Sequence, residues 1–186
     1  DTIPVRRASK RDAAAGRAAP LPLSAVGADA WRLLAERAIE PNGYGLADWQ
    51  LAASNGSRVF ALCAAHDAQL TGVLPVVSMW GAYRIPLPAL VSADPFDSLC
   101  TPLLDRNHAE TAALQIMQAA RAAGAHALIV RKATLDGPAM RAFGEELRRD
   151  GLRPLLLQPH LRAALNAGRD AEELLQEALG AKKLKE

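Results

Sequence analysis

Four histidines, two cysteines and a scatter of serines and acids are the groups in this chain that could do chemistry, and their spacing decides what they can do. His66, His108, His126 and His160 stand far apart, with no second ligand at helical or Cys-x-x-Cys spacing, so no metal site is expected. Each reads as a surface or partly buried imidazole. There is no Gly-x-Ser-x-Gly elbow, no P-loop and no Gly-x-Gly-x-x-Gly, and Ser54-Asn55-Gly56-Ser57 is turn chemistry. Cys100 and His108 could act as nucleophile and base, but no third group is in view to orient the histidine. Cys63 lies inside an apolar run, where buried free thiols are usual. Two cysteines are too few for a disulfide framework, so a reducing compartment, the cytoplasm, is expected.

The elements that must position these groups follow from periodicity. A helix is expected over Ala30 to Ile39, with Trp31, Leu34, Ala35, Ala38 and Ile39 on one stripe and Asp29 as its cap. A shorter helix carries Leu46, Trp49, Gln50 and Ala53. The period then changes: Val59 to Ala65 and Leu70 to Trp80 read as an antiparallel hairpin about His66-Asp67-Ala68, with Pro75 marking a bulge or an unpaired position. A further strand is expected over Tyr83 to Leu87, then a Pro-punctuated loop over residues 89–104. The strongest helix runs from His108 to Ala123, capped by Asn107 and stopped by Gly124. Ala127 to Val130 reads as a buried strand, and Asp136-Gly137-Pro138 opens a helix with Met140, Phe143, Gly144 and Leu147 inward. Two last strands, Leu155 to Gln158 and Leu161 to Leu165, precede a helix capped by Asp170. The expected fold is α/β, a mixed and mostly antiparallel sheet with helices on both faces.

Bulk composition narrows the function. The 186 residues are 50% apolar and 23% charged, which suits one globular domain. The longest apolar runs are far short of the ~20 residues that span a bilayer, and no secretory signal is visible. Net charge is +2, which calls for no nucleic-acid partner. Residues 1–23 form a basic, low-complexity segment, with Arg6, Arg7, Lys10, Arg11 and Arg17 against two acids in the first twenty positions. Such a stretch suits contact with phosphate or anionic lipid, or simply a solvated tail. The first residue is Asp, so a fragment or processed product is expected.

Several segments together carry a family resemblance. They are Trp31-Arg32-Leu33-Leu34-Ala35-Glu36-Arg37-Ala38 with Glu40-Pro41-Asn42, then Gly72-Val73-Leu74-Pro75-Val76, Asp94-Pro95-Phe96, Thr101-Pro102-Leu103-Leu104-Asp105 and Asp136-Gly137-Pro138. In order and spacing the chain resembles the GNAT acetyltransferase fold over residues 29–166. More closely, it resembles the front half of two-lobed FemAB-like acyltransferases, including the CelD-like proteins of bacterial cellulose biosynthesis. Leu179-Gly180-Ala181-Lys182-Lys183 is similar to the basic joint of such proteins, so residues 24–168 are expected to be a lobe and residues 169–186 a joint to a second lobe after residue 186.

The departure from that family is physical. Acetyltransferases of this fold hold the cofactor pyrophosphate on backbone N–H groups at the start of the central helix, in an Arg/Gln-x-x-Gly-x-Gly/Ala stretch. Here the equivalent is Thr101-Pro102-Leu103-Leu104-Asp105-Arg106-Asn107, which has no glycine, loses a donor at Pro102 and carries a repelling carboxylate at Asp105. Arg121-Ala122-Ala123-Gly124-Ala125-His126 nearly spells the signature, but at the wrong end of the helix.

The resemblance therefore implies a lobe that binds no cofactor itself, within a protein that uses acetyl-CoA or another acyl-CoA. It would help form the cleft for a small-molecule or peptide amine acceptor. Asn42, Tyr44, Asp94, Phe96 and Asp97, with Thr101, are the residues it implies at that cleft. Asn42 equally suits a turn, Asp94-Pro95 starts turns, and Tyr44 and Phe96 suit a core. No general base can be named; Asp94 or Asp97 would serve only with a pKa raised by burial. The expected partner is the second lobe or a self-association partner. A non-enzymatic interaction module is the alternative, and a complete enzyme with an unorthodox cofactor site the third.

Overall fold

The computed structural model describes residues 20–54 and 58–161. Two compact units divide the chain, residues 1–154 and 155–186. In the first, β1 is the two-residue strand Leu21–Pro22, and a 3-10 turn over Leu23–Ala25 buries Leu23. α1 spans Ala28–Glu36 and turns Trp31 and Leu34 fully inward. Its cap is Gly27, not Asp29. Asp29 sits in the first turn, where the helix dipole favours an acid, and pairs with Arg32 at 3.0 Å. The helix stops short of Ile39 because the chain turns aside to bond a strand. The Ile39 N–H donates to the Leu104 carbonyl at 2.8 Å, and Ala38 bridges Asp105.

α2 is Ala47–Ala53, followed by the antiparallel hairpin of β2, Phe60–His66, and β3, Gln69–Ser78. The hairpin turn has φ of 47° at Asp67 and 63° at Ala68, the two positive values of a type I′ turn. Pro75 makes no bulge. It pairs in register with Ala61, and the irregularity lies at Ala64/Ala65 instead. The Pro75 carbonyl accepts the Ala93 N–H at 2.8 Å, so its missing N–H falls on the edge where β3 changes partners and costs no ladder bond.

α3 is the short helix Met79–Tyr83, and the strand expected over Tyr83 to Leu87 does not form. Pro86 and Pro88 remove two donors, and pairing begins directly after the second, at β4, Ala89–Ser92. The expected loop over residues 89–104 thus shrinks to the stretch between β4 and β5, Leu103–Leu104. α4, Ala109–Ala122, starts from His108, whose side chain makes no capping bond; Asn107 is not the cap. It ends in a Schellman motif: Gly124 at φ 81° donates to Arg121, and Ala125 donates to Ala120. β6, Ala127–Ile129, and α5, Pro138–Arg149, complete the first unit. The strand expected over Leu155 to Gln158 is absent: residues 155–161 are irregular and exposed. An apolar run alone makes no strand without a neighbouring edge to bond. Residues 162–165, the helix after Asp170 and most of the basic segment lie outside the described residues.

The sheet runs β1-β2-β3-β4-β6, with β5 beside β4 along the same edge of β3. β4 and β6 are parallel, and the other pairs are antiparallel. Strand alternation sorts the core into two faces. Leu62, Ala64, Leu74, Val76 and Leu104 meet α4 and α5, while Ala61, Val73 and Leu103 meet α1 and α2. The class is α/β, a mixed sheet with helices on both faces. α4 lies close because alanines flank Ile116 along its buried stripe. A Cβ at Gly72 would stand 3.1 Å from the Cβ atoms of Ala64 and Ala112.

Candidate functional site

Asn42 begins a 3-10 turn, Gly43–Gly45, and its side chain is committed to the chain's own backbone. The amide nitrogen donates to the carbonyls of Thr101 at 2.9 Å and Leu99 at 3.3 Å, and the oxygen accepts the Tyr44 N–H at 3.1 Å. Gln50, also buried, donates to the Tyr44 carbonyl at 2.7 Å, and the Trp31 indole donates to Gly45 at 2.9 Å. Thr101 is buried as well, its hydroxyl accepting the Thr134 N–H at 3.4 Å. Asn42 and Thr101 are therefore struts that join this turn to the loop ahead of β5. A void of about 10 Å³, the size of one water, lies between them and Pro75, and the Gln50 Oε1 is buried without a partner.

That loop carries the charged part of the site at the carboxyl ends of the parallel strands. The Asp94 side chain is nearly inaccessible (3%), and its Oδ2 stands 3.2 Å from Arg131 Nη2 and 3.0 Å from Lys132 Nζ. Its Oδ1 is buried with no hydrogen-bond partner. Lys132 also pairs with Asp97, which is exposed. Arg131 packs over the Tyr83 ring at 5.6 Å, and its N–H donates to Ser92 Oγ at 2.9 Å. Two carboxylates thus meet two cations, and the cluster is neutral overall. The backbone is strained around it: Phe96, Asp97 and Lys132 hold φ of 56°, 63° and 45°, a region that bulky side chains rarely occupy.

Phe96 points outward at 81% exposure and meets Trp49, ring centroids 6.2 Å apart at 69°. Trp49 in turn meets Tyr44 at 5.4 Å and 68°. Of the six residues expected at a cleft, Tyr44, Phe96 and Asp97 are exposed and form a rim, while Asn42, Thr101 and the side chain of Asp94 are buried behind it. Sequence reasoning missed Trp49, Arg131 and Lys132. Arg131 and Lys132 did leave a signal, since two cations directly follow the apolar run of β6.

The approach to α4 holds a second ionic junction. Asp105 is buried (2%) and accepts from Arg37 Nε at 2.8 Å and from the Asn107 N–H at 2.9 Å. Burial pushes its carboxyl up, but the Arg37 hydrogen bond, the Asn107 amide and the positive charge of Arg37 together hold it below the usual carboxylate range. The start of α5 is likewise filled: Glu40 accepts the Ala139 N–H at 3.4 Å and presses on Gly137, leaving no room for a Cβ there. Cys100 is buried against the carbonyls of Ala93 and Ser98, and His108 stacks on His66 at 4.4 Å. Burial pushes the Cys63 thiol up to about 11. Among the described residues no group of three or more metal-ligating side chains forms, and no helix is long and apolar enough to cross a membrane. Comparison of the chain with protein-family models, with curated proteins and with solved structures returned no match.

Proposed function

We propose that this chain is the N-terminal lobe of a two-lobed, FemAB-like N-acyltransferase, a lobe that binds no acyl-CoA and helps to form the acceptor cleft. The observation that carries the reading is the Asp105 carboxylate, which already accepts an N–H ahead of α4. GNAT-type enzymes hold the cofactor pyrophosphate at that position. The element order from β1 to α5 and the β4–β6 parallel pair, bracketing α4, support the same reading. In the whole protein an amine nitrogen attacks the thioester carbonyl carbon; the C–N bond forms, the C–S bond breaks, and CoA leaves as the thiol. This lobe's part is positioning. Tyr44, Trp49, Phe96 and Asp97 line the acceptor side, with Asn42, Thr101 and the Asp94–Lys132 pair holding that rim in place. The acyl donor belongs to the second lobe, in the cytoplasm, and cellulose biosynthesis in bacteria is the context the resemblance supplies.

Calorimetric titration of the chain with acetyl-CoA and with free CoA tests this. No heat of binding is expected, and micromolar binding sinks the reading in favour of a complete enzyme. In the two-lobed protein, Phe96→Ala should raise KM for the amine while leaving the acetyl-CoA Kd unchanged. The exposed Tyr44–Trp49–Phe96 cluster also fits a non-enzymatic interaction module. A two-lobed protein without acyltransfer to any amine would favour that alternative.

A further inference from the structure

Residues 80–88 are all exposed and carry four large apolar side chains, Trp80 (53%), Tyr83 (46%), Ile85 (42%) and Leu87 (58%). Arg84 is the sole charge between Met79 and Ala93. Its guanidinium lies 5.9 Å from the Trp80 ring, and Arg131, from the end of β6, lies over Tyr83. Several backbone donors along this ridge are satisfied from within. Gly81 donates to Ser78 Oγ, Arg84 to the Trp80 carbonyl, Leu87 to Ile85 and Ala89 to Leu87. Pro86 and Pro88 have no donor to satisfy.

A ridge of this kind enters a lipid headgroup layer at little cost. What usually opposes burial of an irregular segment is its unpaired N–H groups, and here three are bonded and two positions, Pro86 and Pro88, have none. Trp and Tyr favour the interface, Ile and Leu the acyl boundary below it, and arginine the anionic headgroups. Contact with a protein partner fits less well. Such contacts centre on anchors seated in packed pockets, whereas the four large apolar side chains of this ridge are exposed and its one charge is basic. We infer that the Trp80–Leu87 ridge is a peripheral membrane-docking surface that inserts into the headgroup layer of an anionic phospholipid bilayer.

The test is co-sedimentation of the full chain with phosphatidylcholine vesicles, and with vesicles that also contain phosphatidylglycerol. The bound fraction should rise with phosphatidylglycerol and fall with salt. Leu87→Glu and Trp80→Ala should each weaken partition about tenfold, because each removes an inserting apolar group. Both sites are exposed, so unchanged circular dichroism and melting are expected, and the loss then reads out docking alone. A blue shift of tryptophan emission on vesicles, missing in Trp80→Ala, would mark insertion of the ridge itself. No binding to either vesicle overturns the inference. So does binding that both variants retain, which would assign the attraction to the basic segment at the start of the chain.

Discussion

At Asp105 two opposed influences act on one carboxyl. Burial disfavours its charge, and the Arg37 guanidinium with the Asn107 amide favours it more. Its folded pKa therefore lies below its unfolded value of about 3.9. The stability it contributes is complete above that unfolded value and is lost as pH falls through the folded one. Asp105→Asn keeps the shape and removes the charge, and should cost about 1–3 kcal/mol at neutral pH by urea denaturation. Because Arg37 is partly solvated (29%), the cost stays below that of breaking a fully buried pair. Repeated at falling pH, the gap between variant and parent should close as Asp105 in the parent takes up its proton. A gap that persists in acid would show that the pair contributes through shape and not through charge.

Elements that carry a full period were legible in the sequence; those defined by a partner were not. Trp31 and Leu34 announced α1, Ile116 among alanines announced α4, and the run from Phe60 to Ser78 announced a hairpin. β4 and β5 were hidden, being four and two residues long and bordered by prolines. Tyr83 to Leu87 has strand-like residues, but it could not pair across Pro86 and Pro88. Part of the site was legible for a related reason. Asp94-Pro95-Phe96 reads as an exposed loop, yet the cations that bury Asp94 arrive from β6, far along the chain, and no local pattern joins them. Gly72 is the clearest case of a residue defined by its partner, since its need for small size exists only once α4 lies across β3. Gly72→Val should destabilise by about 1–3 kcal/mol in thermal or urea melts, because the new atoms meet Ala64, Ala112 and Ile116. A neutral result would mean that α4 can lift from the sheet.

Across the first unit, α4 is the member that binds the parts into one body, since it touches β2, β3, β5, β6 and α5. Its buried stripe shares one core with Leu62 and Leu74 of the sheet. Native-state hydrogen exchange should therefore be slowest at Leu62, Leu74 and Ile116, which open only with global unfolding. It should be fast through residues 84–88 and 94–97, where few ladder bonds protect the amides. Protection in those two loops equal to that of the core would contradict this ranking. The parallel pair of β4 and β6 also sets the order of assembly. β2 and β3 meet across a two-residue turn, whereas β6 reaches β4 only after the whole stretch from Ala93 to His126 has been drawn across the sheet. Closing so long a loop before any contact rewards it is slow. As the chain leaves the ribosome, the hairpin stands ready first and waits for α4, and the Asp94–Lys132 cluster exists only after that last strand has docked.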